Sequence, residues 1–430
     1  MQRFQFDPDS DLKRLYRAFQ DAPAFLVPAP LQECFATARA KPDSFRNHRP
    51  LLAISLGGST TSAMLASVAD GLPAVHHATE RRNPSAPLPL ARYLDELLLS
   101  EPPFADYLRN DPDPVIGISI AVMVRDGVPY HPSKFATIEG LVARDLATQS
   151  PTHHLGQNLN AWLASHGLRP ARVFYEGDAP VAHLGGVGLS ALAPDDRSLL
   201  LVCGNGMACA DYERFIVCGM FCCLCEDNPE LYRPADMENG QYQYLVAGKG
   251  IYKVLRRAAE LDGLDVARFF ASSHDSVHVY HLWAGKMTPR LREVETALGE
   301  AAFRRLQAMA RAIVPRGIAA LANSILCSLS LNGPAPSGRG YQLFLEGSIA
   351  TDPDIVPALE KELRRQIANR PLWDELGATP PAPPTLAPRL RAPVPARGVS
   401  PDQLKKVDMS LIGALFLGAI RSACNEETPA

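Results

Sequence analysis

Asp178 follows the strand-like run 172–175, in the segment Glu176-Gly177-Asp178. Ligand sites of open α/β sheets gather at the carboxyl ends of strands. A carboxylate there can take the proton from a hydroxyl as that hydroxyl attacks phosphorus. Taken alone, an aspartate at a strand end is more simply a turn or helix-cap residue. Two glycine turns add to it. The strand-like run 50–56 ends in Gly57-Gly58 and is followed at once by the apolar run 63–68. The run 198–203 ends in Gly204-Asn205-Gly206, and Met207 opens a return strand through residue 216. A glycine turn between paired strands leaves backbone N–H groups pointing outward, with no side chain to keep a phosphate away. One such turn is an ordinary hairpin. Two, each opening one half of the chain, suggest two related lobes facing a cleft, each offering amides to one end of a polyphosphate.

The elements that must position these residues follow from hydrophobic spacing. Leu12, Leu15, Tyr16 and Phe19 predict an amphipathic helix over 9–20, whereas 29–50 reads as mixed and polar. Further strands are expected near 73–79 and 114–124, and helices at 88–99 and 155–166, the latter stopped by Gly167. In the second half, helices are expected near 250–261, 290–312 and 353–367, with Asp352 as cap and Pro353 at the first position of the third. A strand is expected at 342–345 and an apolar helix at 410–419. Residues 380–401 hold eight prolines and read as an extended surface loop.

Composition bounds the reading. The 430 residues are 47% hydrophobic and 21% charged, which excludes global disorder. Acidic residues (46) slightly exceed basic ones (43), so no basic surplus indicates a nucleic-acid partner. The apolar runs 215–225 and 411–420 fall short of the ~20 residues that span a bilayer, and the first 20 residues have no signal-peptide pattern. We therefore expect no membrane partner. Six of the nine cysteines lie between Cys203 and Cys225, unlike a secreted disulfide framework, which indicates reduced thiols and a cytoplasmic location. Cys218, Cys222, Cys223 and Cys225 include a C-x-x-C pair, but adjacent cysteines on a strand point to opposite faces, so small buried residues explain them better than a metal cage. His274, His278 and His281 have helical spacing, yet Val277, Val279 and Tyr280 favour a strand. No structural metal is expected.

From about residue 50 to 420 the chain resembles the hexokinase family of the actin-like ATPase superfamily. Leu52-Ala-Ile-Ser-Leu-Gly-Gly-Ser-Thr60 is similar to its first phosphate loop, and Leu201-Val-Cys-Gly-Asn-Gly-Met207 to its second. Gly117-Ile-Ser-Ile-Ala121 resembles the sugar-facing strand, and Pro132-Ser-Lys-Phe135 the Thr-Lys-Gly-Phe segment. Glu176-Gly-Asp-Ala179 stands where the family has Asn-Asp-Thr, and Leu245-Val-Ala-Gly-Lys-Gly250 resembles the segment opening a large-domain helix. Leu345-Glu-Gly-Ser348 resembles the adenosine-side Asp-Gly-Ser, and Asp408-Met-Ser-Leu-Ile-Gly-Ala414 the closing glycine-rich run. Each motif is degenerate, and their collinear order carries the resemblance.

The resemblance implies a two-lobed α/β fold of the actin-like ATPase type, with an interdomain cleft. It implies a small domain over 49–177 joined by a C-terminal helix at about 411–430. The large domain would cover 178–410 and contain the proline-rich loop, and residues 1–48 would pack on it. It implies ATP and Mg²⁺, and phosphoryl transfer to a hydroxyl of a hexose or sugar-like polyol, as in the carbohydrate phosphorylation of glycolysis. Asp178 would be the base, and Ser119, Ser133, Lys134 and Gln243 would bind the acceptor. Gly57, Gly58, Ser59, Thr60, Gly204, Asn205, Gly206, Met207, Gly347, Ser348 and Ser410 would hold the nucleotide. Ser55 replaces the family's magnesium-side aspartate and would reach the ion only through water. Gly177 and Ala208 replace asparagines, and the first sugar-side glutamate falls within 217–221 while Gln243 replaces the second, with Glu226 and Asp227 close by. Such losses on the sugar side prevent carrying over glucose specificity. They leave open a non-catalytic relative that binds a sugar, a nucleotide or a protein partner.

Overall fold

The computed structural model describes residues 6–21, 25–40, 48–131, 134–144, 154–190, 192, 195–204, 206–217, 229–232, 245–335, 338, 340–386, 393–396 and 399–426. The first half runs α1 (Pro8–Asp21), β1 (Phe25–Leu26), α2 (Ala29–Ala40), β2 (His48–Leu56), β3 (Thr60–Ala69), β4 (Leu72–Arg82), β5 (Leu88–Pro89), α3 (Leu90–Leu94), α4 (Pro102–Asn110), β6 (Val115–Ile120), β7 (Met123–Arg125), β8 (Val128–Tyr130), β9 (Ile138–Glu139), α5 (Leu155–Ser165), β10 (Arg172–Gly177) and α6 (Asp178–Leu189). The second half runs β11 (Ser198–Cys203), β12 (Met207–Ala210), β13 (Arg214–Val217), α7 (Pro229–Tyr232), α8 (Ile251–Leu261), α9 (Ser276–Ala284), α10 (Pro289–Leu298) and α11 (Glu300–Asn332). It closes with β14 (Gln342–Glu346), α12 (Ile355–Ala368), α13 (Arg370–Leu376), β15 (Thr385–Leu386), β16 (Val394–Pro395), α14 (Pro401–Leu404) and α15 (Met409–Glu426).

These elements form two compact units. Unit 1 is Met1–Leu26, Asp195–Ala210 and Arg214–Pro388, and unit 2 is Val27–Pro194, Asp211–Glu213 and Arg389–Ala430.

Unit 2 is built on a six-stranded sheet of order β10-β6-β2-β3-β4-β16. The meander β2-β3-β4 is antiparallel, while β6 and β10 join β2 in parallel. Alternation along the strands separates the faces. Leu52, Ile54, Leu56, Ile116, Ile118 and Ile120 bury one face against a core that includes Phe104, Leu108, Leu159 and Trp162. The opposite face carries α15, and glycines set how closely it approaches. A Cβ on Gly117 would lie 1.9 Å from the Ala414 oxygen, and one on Gly413 would lie 1.8 Å from the Val181 oxygen. Only glycine tolerates such backbone contact. This packing corrects the expected domain boundary: α6 lies along α15 in unit 2 rather than opening the large domain. Helix α2, in a segment read as merely polar, packs on α6 and α15, so 27–40 also sits in unit 2.

Unit 1 has a six-stranded sheet of order β1-β13-β12-β11-β14-β15, with β11 and β14 parallel. The return strand expected over 207–216 is two antiparallel strands, because the chain turns back at 211–213. Its central helix is α11, 33 residues long. By length and composition it could cross a membrane, but 89% of its apolar window is buried inside the protein, as a core helix. The sequence reading stopped this helix at residue 312 and joined it to α10. Gly299, at φ 79°, separates the two, and α11 continues through Pro315. Arg316 is buried in the middle of α11 and forms two 2.8 Å hydrogen bonds to both carboxylate oxygens of Asp11 on α1. The His274–His281 segment is a 3₁₀ turn followed by α9, not a strand, because Ser272 and Asp275 form a capping box ahead of it. Helix α12 begins at Ile355, and Asp352 Oδ1 accepts from the amides of Asp354 and Ile355.

The proline-rich segment adds β15 to the sheet of unit 1 and β16 to that of unit 2, both as two-residue edge strands. Edge positions suit proline, which has no N–H to donate.

Candidate active site

In unit 2 the three parallel strands end level with one another: Leu56 of β2 and Gly177 of β10 both pair with Ile120 of β6. Asp178 is the next residue after β10 and the first of α6. Its Oδ1 accepts from the Ala179 amide at 2.9 Å. Burial pushes the Asp178 carboxyl above the usual aspartate range, and the Lys134 ammonium pulls it back.

Lys134 is held by its loop. Its Nζ donates to the Ala121 oxygen at 2.5 Å, and its amide donates to His131 Nδ1 at 2.8 Å. Arg144 donates to the carbonyls of Lys134 at 2.7 Å and Phe135 at 3.2 Å. Phe135 is buried with φ 55°, a left-handed conformation that non-glycine residues adopt at a cost.

Register places a polar row across five strands at this end of the sheet. Glu80 pairs with Ser62, Ser62 with Ser55, Ser55 with Ser119, and Ser119 with Glu176. In-register neighbours share a face. That face is the one under α15, because Gly117, two residues before Ser119, meets Ala414 there. The Ser119 hydroxyl is fully buried and makes no hydrogen bond with the described residues. Such an unpaired group costs about 1–3 kcal/mol in a folded protein. Burial pushes the Glu176 carboxyl up to about 7, opposed by Arg421.

Asp408, just before α15, accepts from the Leu411 amide at 2.7 Å. Partial desolvation first, then the negative charges of Glu80 and Asp178, push its carboxyl up to about 6, although the residue as a whole stays exposed. Ionising a group with that folded value costs stability as pH rises from about 4 through 6, by an amount that solvent screening keeps small at so exposed a residue. Asparagine keeps the capping acceptor. Asp408→Asn should therefore raise the melting temperature at pH 8 and barely change it at pH 4. An equal gain at both pH values would contradict this account of Asp408.

The glycine turn Gly57–Thr60 lies between β2 and β3, with Gly58 and Ser59 exposed. Ser410 belongs to the same unit, at the start of α15.

In unit 1 three glycine-bearing segments meet. Gly204 donates to the Gly206 oxygen at 3.0 Å, and its own oxygen accepts from Gly248 at 2.7 Å. The amides of Ile349 and Ala350 donate to the Cys203 oxygen at 3.0 and 3.2 Å. Gly347 has φ 91°, and a Cβ there would lie 2.4 Å from the Cys203 oxygen. Ser348 is exposed beside it, whereas the Met207 side chain is buried in the core, leaving only its backbone to face a phosphate.

Of the sequence-predicted residues, unit 2 holds Ser55, Gly57, Gly58, Ser59, Thr60, Ser119, Lys134, Asp178 and Ser410, and unit 1 holds Gly204, Gly206, Met207, Gly347 and Ser348. Ser133, Asn205 and Gln243 lie outside the described residues, as do residues 218–228 with the cysteine cluster. Among the described residues no group of three or more His, Cys, Asp or Glu side chains could hold a metal ion. The carboxylates of Asp178 and Asp408, which act on each other electrostatically, nonetheless suit a hard cation such as Mg²⁺ that keeps most of its water. Asp408, named only as the start of the closing run, carried no site role in the sequence. Its signal was the Asp-x-x before an apolar helix, which marks an N-cap.

No protein-family model and no curated protein matches the sequence. Solved structures do match. A crystal structure of a hexokinase aligns at TM-score 0.63 with 13% identity, covering 97% of each chain. The hexokinase from Schistosoma mansoni complexed with glucose aligns at 0.62 with 14% identity, also over 97% of each chain. At such low identity the likeness speaks to fold, and the fold of this chain is that of the hexokinases, the actin-like ATPase fold.

Proposed function

We propose that the protein is an ATP-dependent phosphotransferase acting on a hydroxyl of a hexose or sugar-like polyol. The observation that supports this most is Asp178: a partly buried carboxylate with a raised proton affinity, at the carboxyl end of parallel strands and within electrostatic reach of Lys134. Asp178 takes the proton of the acceptor hydroxyl. The hydroxyl oxygen forms a bond to the γ-phosphorus, the bond from that phosphorus to the β–γ bridging oxygen breaks, and ADP leaves with that electron pair. Lys134 orients the acceptor, whereas the Ser119 hydroxyl, expected to do so too, is fully buried on the face under α15 and offers no exposed atom to a ligand. The turn Gly57–Thr60 in unit 2, and Gly204, Gly206, Gly347 and Ser348 in unit 1, are the nucleotide-binding elements. Mg²⁺, when bound with the nucleotide, neutralises phosphate charge. Asp178, Asp408 and Ser55 are the residues that would hold it through water. A reducing, cytoplasmic setting belongs to the same proposal and fits the thiols of Cys34 and Cys424, which form no disulfide.

One observation favours a second reading, a protein that binds without transferring. Ser55 brings no charge to the phosphate side of the row, so cation binding there is weak. The two readings separate in a coupled assay of ADP release across hexoses, amino sugars and cyclitols. Acceptor-dependent release above the no-acceptor rate supports the kinase. Nucleotide or sugar binding without release from any acceptor supports the binder.

If Asp178 is the base, turnover requires it ionised, so kcat falls on the acid side at a pH above the ordinary aspartate range. The Lys134 ammonium lowers that proton affinity. Lys134→Met should move the acid limb of kcat to higher pH as well as weaken acceptor binding. An unmoved limb would show that Lys134 does not act on the base.

A further inference from the structure

We infer that Asn83 is a positioning residue for phosphoryl transfer, fixing the direction in which the Gly58 and Thr60 amides point. The inference rests on the nucleotide role of the Gly57–Thr60 turn given above.

Asn83 directly follows β4 and holds the turn from behind by two donors. Its side-chain Nδ2 donates to the Gly57 oxygen at 2.9 Å, and its backbone amide donates to the Ser59 oxygen at 2.9 Å. Its Oδ1 accepts from Thr61 Oγ1 at 2.9 Å and lies 3.3 Å from the Tyr93 hydroxyl oxygen. Tyr93 also donates to Thr61 Oγ1 at 2.5 Å. The two hydroxyls on one side and the carbonyl on the other assign the amide orientation of Asn83. Thr61 and Tyr93 are buried, so the brace is anchored in the core of unit 2.

In a trans peptide the carbonyl and the next residue's N–H point in opposite directions. Holding the Gly57 and Ser59 carbonyls toward Asn83 therefore turns the N–H groups of Gly58 and Thr60 away from it. A phosphate is attracted by N–H and repelled by C=O. Both repelling groups are withdrawn by donors of one residue, and a Cβ built on Gly58 meets nothing within 4 Å. An amide pair fixed before the ligand arrives costs no reorganisation when charge develops on the phosphate.

The test compares binding of Mg·ATP and of adenosine, by titration calorimetry, in wild-type, Asn83→Asp and Tyr93→Phe proteins, with melting temperatures alongside. Asn83→Asp keeps an oxygen for Thr61 and Tyr93 but sets an oxygen against the Gly57 carbonyl. We expect about a tenfold loss of ATP affinity, with adenosine binding and acceptor KM unchanged. Tyr93→Phe leaves Asn83 in place and should lose about threefold for ATP alone. It carries the test if the Asn83 variant does not fold. Unchanged ATP affinity, or equal losses for ATP and adenosine, would overturn the brace while leaving the kinase reading intact. A wild-type protein that binds no ATP would overturn the nucleotide reading and the brace with it.

Discussion

Asp178→Asn should leave a folded protein whose phosphoryl transfer is slower by about 10²–10⁴-fold, the usual effect of removing a positioned general base. The side chain is replaced almost isosterically, and an amide oxygen can still accept from the Ala179 amide as Oδ1 does now. What is lost is the site for the acceptor proton. Folding should not suffer, because the carboxylate is destabilised where it stands, with burial raising its proton affinity. A neutral group there removes that burden. The expected signature is therefore a split: kcat collapses while the melting temperature at pH 8 holds or rises. A variant that loses activity only by unfolding would show both falling together.

The second large effect concerns unit 1. Asp11→Ala should destabilise the protein by about 3–5 kcal/mol, because it removes the carboxylate that bonds the buried Arg316 guanidinium at two atoms. Arg316 is 1% exposed, and its Nε and Nη2 both bond Asp11 at 2.8 Å. A guanidinium cannot shed its charge at accessible pH. The chain must then either carry the charge in its core without this carboxylate or release α1 from α11. The measurement is chemical denaturation of Asp11→Ala beside the double variant Asp11→Leu with Arg316→Met. The double variant should recover most of the loss, since apolar replacement of a buried pair is commonly neutral or stabilising. A single variant as stable as wild type would show that α1 is held by its apolar face of Leu12, Leu15 and Phe19 alone.

Parts of this arrangement were legible in the sequence for definite physical reasons. The strand ends at Leu56 and near Gly177 announced themselves because apolar β-formers stop at glycine or acidic residues there, whereas the strand expected over 114–124 breaks after Ile120 into β6 and β7, with no such stop in the sequence. The place of Asp178 beyond β10 followed from the same pattern. Periodicity also found α1, whose apolar residues recur at helical spacing.

Other features depended on contacts between residues far apart in the chain. The resemblance placed α15 with the small domain, but nothing local shows that α6 packs along it, so α6 was expected in the large domain. The determinants are Gly117, Gly185 and Gly413, whose meaning lies in the backbones they meet. Helix α9 was misread because strand propensity at Val277, Val279 and Tyr280 is weaker than the capping box that precedes them. The proline-rich segment looked like loop, yet its two short strands extend sheets at their edges, where proline costs no ladder bond. Asp408 stood in the closing run of the resemblance but had no role there, because its partners, Glu80 and Asp178, are remote in sequence. The serines of the polar row could not be aligned without the register of five strands.

The most direct test of the base assignment is to follow phosphorus by nuclear magnetic resonance, with wild-type and Asp178→Asn proteins given Mg·ATP and the acceptor that releases most ADP. The account predicts that the wild type forms a sugar or polyol phosphate ester in step with ADP, and that Asp178→Asn, equally folded, forms at least a hundredfold less in the same time. Ester formation by Asp178→Asn at the wild-type rate, or ADP from the wild type with no ester at all, would contradict it.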